Sequence, residues 1–214
     1  MPLKPSTLRY LDELSERYPA LGAQRAAVLA IAEHLIACHR RGGKLLLCGN
    51  GGSAADSEHI VGELVKAFVL PRRLPEEHIQ RLARIGEEAL AARLQQGIAA
   101  IALTANSALA TAILNDVDPY AVFAQQVYVY GRPGDLLLGL STSGNSRNVL
   151  NALKVARAFG LTTLGLTGEK PAAIDALCDV VIKVPATEPY KVQEFHLPIF
   201  HAVCLMAEQE LFES

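Results

Sequence analysis

Leu45-Leu46-Leu47-Cys48-Gly49-Asn50-Gly51-Gly52-Ser53 runs apolar through its first four residues, then breaks into a glycine turn that ends on a hydroxyl. A short stretch with no polar alternation is what a strand buried on both faces of a parallel sheet requires. The same order of parts returns in Leu136-Leu137-Leu138-Gly139-Leu140, followed by Ser141-Thr142-Ser143-Gly144-Asn145-Ser146. In both, glycines stand where the backbone must turn sharply, and hydroxyls stand where a helix begins with unpaired N–H groups. The start of a helix carries partial positive charge, so each loop predicts an anion cradle. Taken alone, either loop is also what an ordinary helix cap looks like. Two of them at strand carboxyl ends, where open α/β sheets take their ligands, point to a phosphorylated small molecule.

Farther out, short apolar runs lie at 99–104, 162–167 and 180–184, which with 44–48 and 135–140 makes five candidate strands. Helical stretches separate them, at about 54–68, 107–115, 120–129, 146–159 and 171–177, and a last helix runs over about 190–212. This alternation predicts an α/β fold, a three-layer sandwich with a parallel sheet between helices. Ahead of the first strand, 5–18 and 23–41 carry helix-period apolar residues and predict an N-terminal helical pair over 5–41, closed by Gly42-Gly43. Residues 1–214 read as one domain. Segment 71–97 stands apart, opening with Pro71-Arg72-Arg73-Leu74-Pro75 and continuing as a charged amphipathic stretch through Ile79, Leu82, Ile85, Leu90 and Leu94. It is too long for a usual strand connection. The expectation is an added helical element, as a solvated surface helix, a subunit contact or a lid.

A net charge of −2 over 214 residues, half of them apolar, leaves no wholesale basic surface for nucleic acid. Cys38, Cys48, Cys178 and Cys204 sit among Leu, Val and Ala with no CxxC spacing, the usage of buried, reduced thiols in a cytoplasmic protein. The opening residues are polar and amphipathic rather than basic-then-apolar, and no uninterrupted apolar run reaches membrane-spanning length. A cytoplasmic protein without a membrane partner is expected.

The loops do not fit the common nucleotide motifs. Gly49-Asn50-Gly51-Gly52-Ser53-Ala54 lacks the third glycine of a dinucleotide fingerprint, and no GxxxxGK[ST] occurs. Gly139-Leu140-Ser141-Thr142-Ser143 lacks the closing glycine of a nucleophile elbow. No nucleotide cofactor is expected, and a hydroxyl-rich loop without lysine suits a monophosphate. His59 and Glu63 share a helix face at i, i+4, while the last helix carries Gln193, Glu194, His196 and His201, with Gln193 and His201 roughly on one face. Such groups on mostly apolar helices need partners if buried. His59, Glu63, Gln193 and His201 could supply an acid–base pair beside a carbonyl, or ligate a divalent metal through imidazole, carboxylate and amide. His34, His39 and His78 read as ordinary core or surface residues.

The segment Cys48-Gly49-Asn50-Gly51-Gly52-Ser53-Ala54-Ala55-Asp56-Ser57-Glu58-His59, with Ser141 to Ser146 and Gln193-Glu194-Phe195-His196, resembles the sugar isomerase (SIS) domain family. Within it the resemblance is to the phosphoheptose isomerases and runs over about residues 10–212, apart from 71–97. It implies a five-stranded flavodoxin-like parallel sheet, and a homotetramer with active sites at subunit interfaces. The reaction implied interconverts sedoheptulose 7-phosphate and D-glycero-D-manno-heptose 7-phosphate through an enediol. By matching position, the resemblance implies sugar-phosphate contacts from Ser53, Ser141, Thr142, Ser143 and Ser146, and further substrate contacts from Asn50, Gly51, Gly52, Asp116 and Gln193. Glu63 resembles the catalytic base and His201 the catalytic acid. His59, Glu63, Gln193 and His201 resemble the zinc set of some members, implying one zinc ion per subunit. Two positions depart from the heptose pattern: Ala67, beside Lys66, stands where an Arg follows the base, and Tyr190 stands where an Asp precedes the glutamine. The competing expectations are an isomerase of a pentose or hexose phosphate, and a non-catalytic sugar-phosphate regulator or replication-initiator-associating scaffold. Retention of both Glu63 and His201 favours the enzyme.

Overall fold

The strands are β1 (Leu45–Cys48), β2 (Ala100–Ala102), β3 (Leu136–Leu140), β4 (Thr162–Gly168) and β5 (Val180–Val184). They pair in the order β2-β1-β3-β4-β5, every pair parallel. The computed structural model describes residues 3–213. Leu45 lies opposite Ala100 on one side and Leu136 on the other, so the leucine runs of β1 and β3 occupy the middle of the sheet. Their side chains alternate between two cores. Leu45, Leu47, Leu136 and Leu138 enter one, and Leu46, Cys48 and Leu137 enter the other. Burial on both faces is why these strands show no polar alternation.

The first face is covered by α1 (Pro5–Arg17), α2 (Arg25–Arg40) and α9 (Pro189–Phe212), with Ile60 and Leu64 of α3 (Gly52–Val65) at its edge. The second is covered by α6 (Ser107–Asp116), α7 (Val122–Tyr130) and α8 (Arg147–Ala158). The helical stretch Pro19–Arg40 is long and apolar enough, by length and composition alone, to cross a membrane. Its Val28, Ile31, Ala32, Leu35 and Ile36 are packed in the first core, which accounts for that apolar character.

Several boundaries differ from the sequence reading. The helix expected over 54–68 starts at Gly52 and stops at Val65, because the following chain turns back and Arg72 binds the Glu63 and Leu64 carbonyls. The strand expected over 99–104 narrows to β2, which has a neighbour on one side only. The helix expected over 171–177 is a single 3-10 turn, Ala173–Ala176. Segment 71–97 forms two short helices, α4 (Glu76–Ala83) and α5 (Glu88–Ala91), with Ile85, Leu90 and Leu94 exposed. Its base is knitted to the chain leaving α3. The Gln96 N–H donates to the Arg72 carbonyl at 2.7 Å, and the Ala67 N–H donates to Gln95 Oε1 at 2.9 Å. The insertion therefore stands beside the end of α3 that carries Glu63.

Candidate active site

The strand order reverses between β1 and β3, the place where doubly wound sheets open a crevice for ligands. Both Ser/Gly loops leave the sheet there. In the first, Gly51 has φ +56°, a conformation that favours glycine. Ser53 N–H donates to the Asn50 carbonyl at 3.1 Å, and Ala54 and Ala55 donate to Gly51, while the Gly51 and Gly52 N–H groups make no hydrogen bond among the described residues. Ser53 itself is buried under the turn. Gly52 lies against the Gln193 side chain, where a Cβ would come within 2.5 Å of Nε2.

The second loop is arranged differently. Gly144 turns it with φ +66°, and the hydroxyls of Ser141 and Ser146 lie 2.9 Å apart. Ser146 precedes α8 without a side-chain cap, and the N–H groups of Arg147 and Asn148 make no hydrogen bond among the described residues. These are the open donors that an anion would accept from. Thr142, Ser143 and Asn145 line a cleft whose opposite wall carries Lys170 and Thr187. The loop holds no lysine, but the fold brings one to it. Both cradles keep open amides, and the second adds a hydroxyl pair and a nearby lysine.

A pair of reciprocal amide bonds ties the loops together. Asn50 Nδ2 donates to Asn148 Oδ1 at 3.0 Å, and Asn148 Nδ2 donates to Asn50 Oδ1 at 2.8 Å. Asn148 was not among the sequence candidates; its place in the first turn of the helix after the second loop was the only available signal. Asp116 ends α6 and bonds Asn115, four residues before Tyr120, whose ring lies under the Arg147 guanidinium at 4.1 Å. No hydrogen bond joins the Asp116 side chain to either loop among the described residues.

The acid–base groups meet near the far end of α3. His59 Nε2 lies 3.2 Å from Glu63 Oε1 and 3.4 Å from His201 Nε2, so α3 and α9 present one carboxylate and two imidazoles to each other. Lys66 Nζ contacts the second Glu63 oxygen at 3.0 Å. Phe200 and Phe68 wall the two rings. The His201 imidazole is held below the ordinary histidine range, first by burial and then by its neighbour His59, with Glu63 acting in the opposite direction. A neutral ring of this kind can take a proton on one nitrogen and release one from the other. Gln193 is not with this group. It sits on Gly52 at the start of α3, and eight residues separate it from His201, about 12 Å along a helix axis.

Could these residues hold a metal ion? No group of three or more His, Cys, Asp or Glu forms a ready-made cation site among the described residues. The donor set nevertheless suits one. Glu63 Oε1, His59 Nε2 and His201 Nε2 crowd together with too few protons for all to be paired, and the two nitrogens are 3.4 Å apart. Two nitrogens on one tetrahedral zinc, each bonded at about 2.0–2.1 Å, lie about 3.3 Å apart.

Two further side chains on these helices bury polar atoms without a partner. His196, on α9 and fully buried, has both ring nitrogens unpaired, and burial lowers its pKa to about 4. Asp56 Oδ2 is also buried without a partner, and burial raises that carboxyl while His59 opposes the shift.

A parallel sheet with an amide-rich crevice at its switch point, flanked by a carboxylate–imidazole cluster, defines an α/β domain with a candidate acid–base site at its strand ends. A family model described as SIS domain matches residues 9–83 and 80–168, and the chain belongs to that family. It is 40% identical over 191 residues to a phosphoheptose isomerase of Roseiflexus sp. (strain RS-1), covering 89% of this chain and 85% of that one. To phosphoheptose isomerase 2 of Campylobacter jejuni it is 40% identical over 178 residues, 83% of this chain and 77% of the other. The solved phosphoheptose isomerase of Neisseria gonorrhoeae superposes with a TM-score of 0.72 at 32% identity, covering 95% of this chain and 93% of that one. Within the family, the chain falls with the phosphoheptose isomerases, and it is an enzyme of their class, an aldose–ketose isomerase.

Proposed function

We propose that the enzyme interconverts sedoheptulose 7-phosphate and D-glycero-D-manno-heptose 7-phosphate. The observation that carries this reading is the meeting of Glu63, His59 and His201 across α3 and α9, on the helix launched by the crevice loops. Ser53 and Glu63 are ten residues apart, about 15 Å along α3.

In this reading the second loop receives the phosphate through the Arg147 and Asn148 amides and the Ser141, Thr142, Ser143 and Ser146 hydroxyls. Lys170 adds charge from the facing wall, and Asn50, Gly51, Gly52, Ser53, Asp116 and Gln193 are assigned to the sugar chain. Binding energy from the phosphate end orients the reacting carbons. Glu63 takes the proton from the carbon beside the carbonyl, giving an enediol, and returns it to the neighbouring carbon. Neutral His201 moves the proton between the two oxygens, and Lys66 balances charge on Glu63.

We assign a zinc ion to His59, Glu63 and His201 in the loaded enzyme. A bound zinc supplies Lewis-acid polarisation of a carbonyl oxygen. Gln193, two turns away in the single chain, is the fourth member of the proposed set and joins through assembly. We accordingly propose a homotetramer with sites completed between subunits, working in the cytoplasm. The test is incubation of the purified protein with sedoheptulose 7-phosphate and a panel of pentose and hexose phosphates, with and without zinc. Turnover of the heptose alone supports the reading. Turnover of another phosphosugar replaces the substrate, and binding without turnover of any of them makes the protein a sensor.

A further inference from the structure

We propose that Arg72 and Glu208, which lie outside the substrate crevice, form a positioning pair that sets the base-bearing helix against the acid-bearing helix. This rests on the acid–base roles assigned above. Both side chains are completely buried. Arg72 Nε donates to Glu208 Oε1 at 2.7 Å, Nη1 donates to the Leu64 carbonyl at 2.6 Å, and Nη2 donates to the carbonyl of Glu63 itself at 3.1 Å. The guanidinium thus takes up two carbonyls that the last turn of α3 leaves free, one of them on the proposed base. Its outer face stacks on Phe212 at 4.8 Å.

Glu208 completes the link. It accepts the N–H groups of Phe68, Val69 and Leu70 at 2.8, 2.9 and 3.1 Å, which pins the chain that leaves α3. On α9 it lies seven residues beyond His201, two turns along and on the same face. One continuous path of hydrogen bonds therefore runs from the Glu63 backbone through the guanidinium and carboxylate to the helix that carries His201.

A buried ion pair is an expensive way to stabilise a core, since two charges must leave water; apolar residues of similar volume often do as well. Apolar residues have no direction, however. Arg72 makes three hydrogen bonds of defined angle, and only a planar fork of donors reaches Glu208, Leu64 and Glu63 together. The pair therefore dictates how far α3 slides along α9, which sets the separation between Glu63 and His201. A lysine keeps the charge but offers a point rather than a fork.

The experiment compares Arg72→Lys and Glu208→Gln with the wild type. We expect folded proteins whose kcat falls at least tenfold while KM stays within about threefold, because the phosphate loops are untouched. Side-chain NMR at one fixed pH should show displaced His59 and His201 ring resonances in both variants, as expected if the two helices shift against each other. Unchanged kcat and unchanged ring resonances, with only a lowered Tm, would make the pair a purely structural clamp and overturn the proposal. If the wild type turns over no phosphosugar, the functional reading fails, and the ring resonances alone decide the positioning claim. If Arg72→Lys does not fold, the near-isosteric Glu208→Gln carries the same test.

Discussion

Acidification from pH 7.5 to pH 5 should cost this protein about 2 kcal/mol of stability through His196 alone. The ring is fully buried on α9 with both nitrogens unpaired, and its folded pKa is lowered to about 4. In the unfolded chain the same ring titrates near about 6.5. Between those values the unfolded state holds a proton that the folded state refuses, so stability falls as pH falls through that window. At pH 5 the unfolded ring is about 1.5 pH units below its pKa while the folded ring remains mostly neutral, which gives about 1.5 × 1.36, or about 2 kcal/mol. For a chain of this size that corresponds to a Tm lower by about 4–8 °C. The perturbation is His196→Leu, read by urea denaturation at both pH values and one fixed protein concentration. The carboxylates of Glu208 and Glu210, held below their usual range by hydrogen bonds and by Arg72 and Arg40 against the opposing effect of burial, also lose stability in acid. They do so equally in both proteins, so the difference isolates His196. A variant that loses as much stability as the wild type over this range would refute the reasoning.

Glu63→Gln and His201→Ala should each lower kcat by at least about 10²–10⁴-fold, the usual worth of a positioned acid or base, with helical circular dichroism unchanged. Normal turnover by either variant removes that residue from the chemistry. Gly144→Ala forces φ +66° on a residue with a Cβ and drives that Cβ to 2.5 Å from Ala172 and 2.9 Å from Thr167 Oγ1. Left-handed strain and overpacking together should cost about 2–4 kcal/mol; thermal melts that match the wild type would show the loop to be softer than this. Asn148→Leu breaks both amide bonds to Asn50 and should raise KM for the phosphosugar about 5–10-fold with kcat little changed. An equal fall in kcat would place Asn148 in the chemical step instead. Calorimetric titration with zinc should show one site per chain that is lost in His59→Ala; equal binding by that variant would move the metal elsewhere.

The fold was legible because burial writes itself into composition. Leu45 to Cys48 and Leu136 to Leu140 are apolar throughout since both faces of each strand meet a core, and the structure puts them side by side at the middle of the sheet. Helix ends were less legible. The end of α3 is decided by Arg72, whose partners are distant in sequence or are backbone carbonyls that carry no residue-specific signal. The short β2 and the 3-10 turn at Ala173–Ala176 follow from edge position and tertiary contacts, which local apolar spacing does not encode.

The site divides in the same way. Spacing alone put His59 and Glu63 on one face, because a helix repeats every 3.6 residues whatever surrounds it. Only the tertiary structure decided that His201 joins them while Gln193 rests on Gly52, since α3 and α9 lie side by side and contact follows axial position. It also decided that Lys170 lines the cleft beside the second loop, which depends on tertiary packing rather than on the loop's own sequence. Local periodicity and composition determined the sheet, the loops and the list of reactive groups. Which of those groups touch was settled by the register between helices, a property of packing that no single segment of the chain contains.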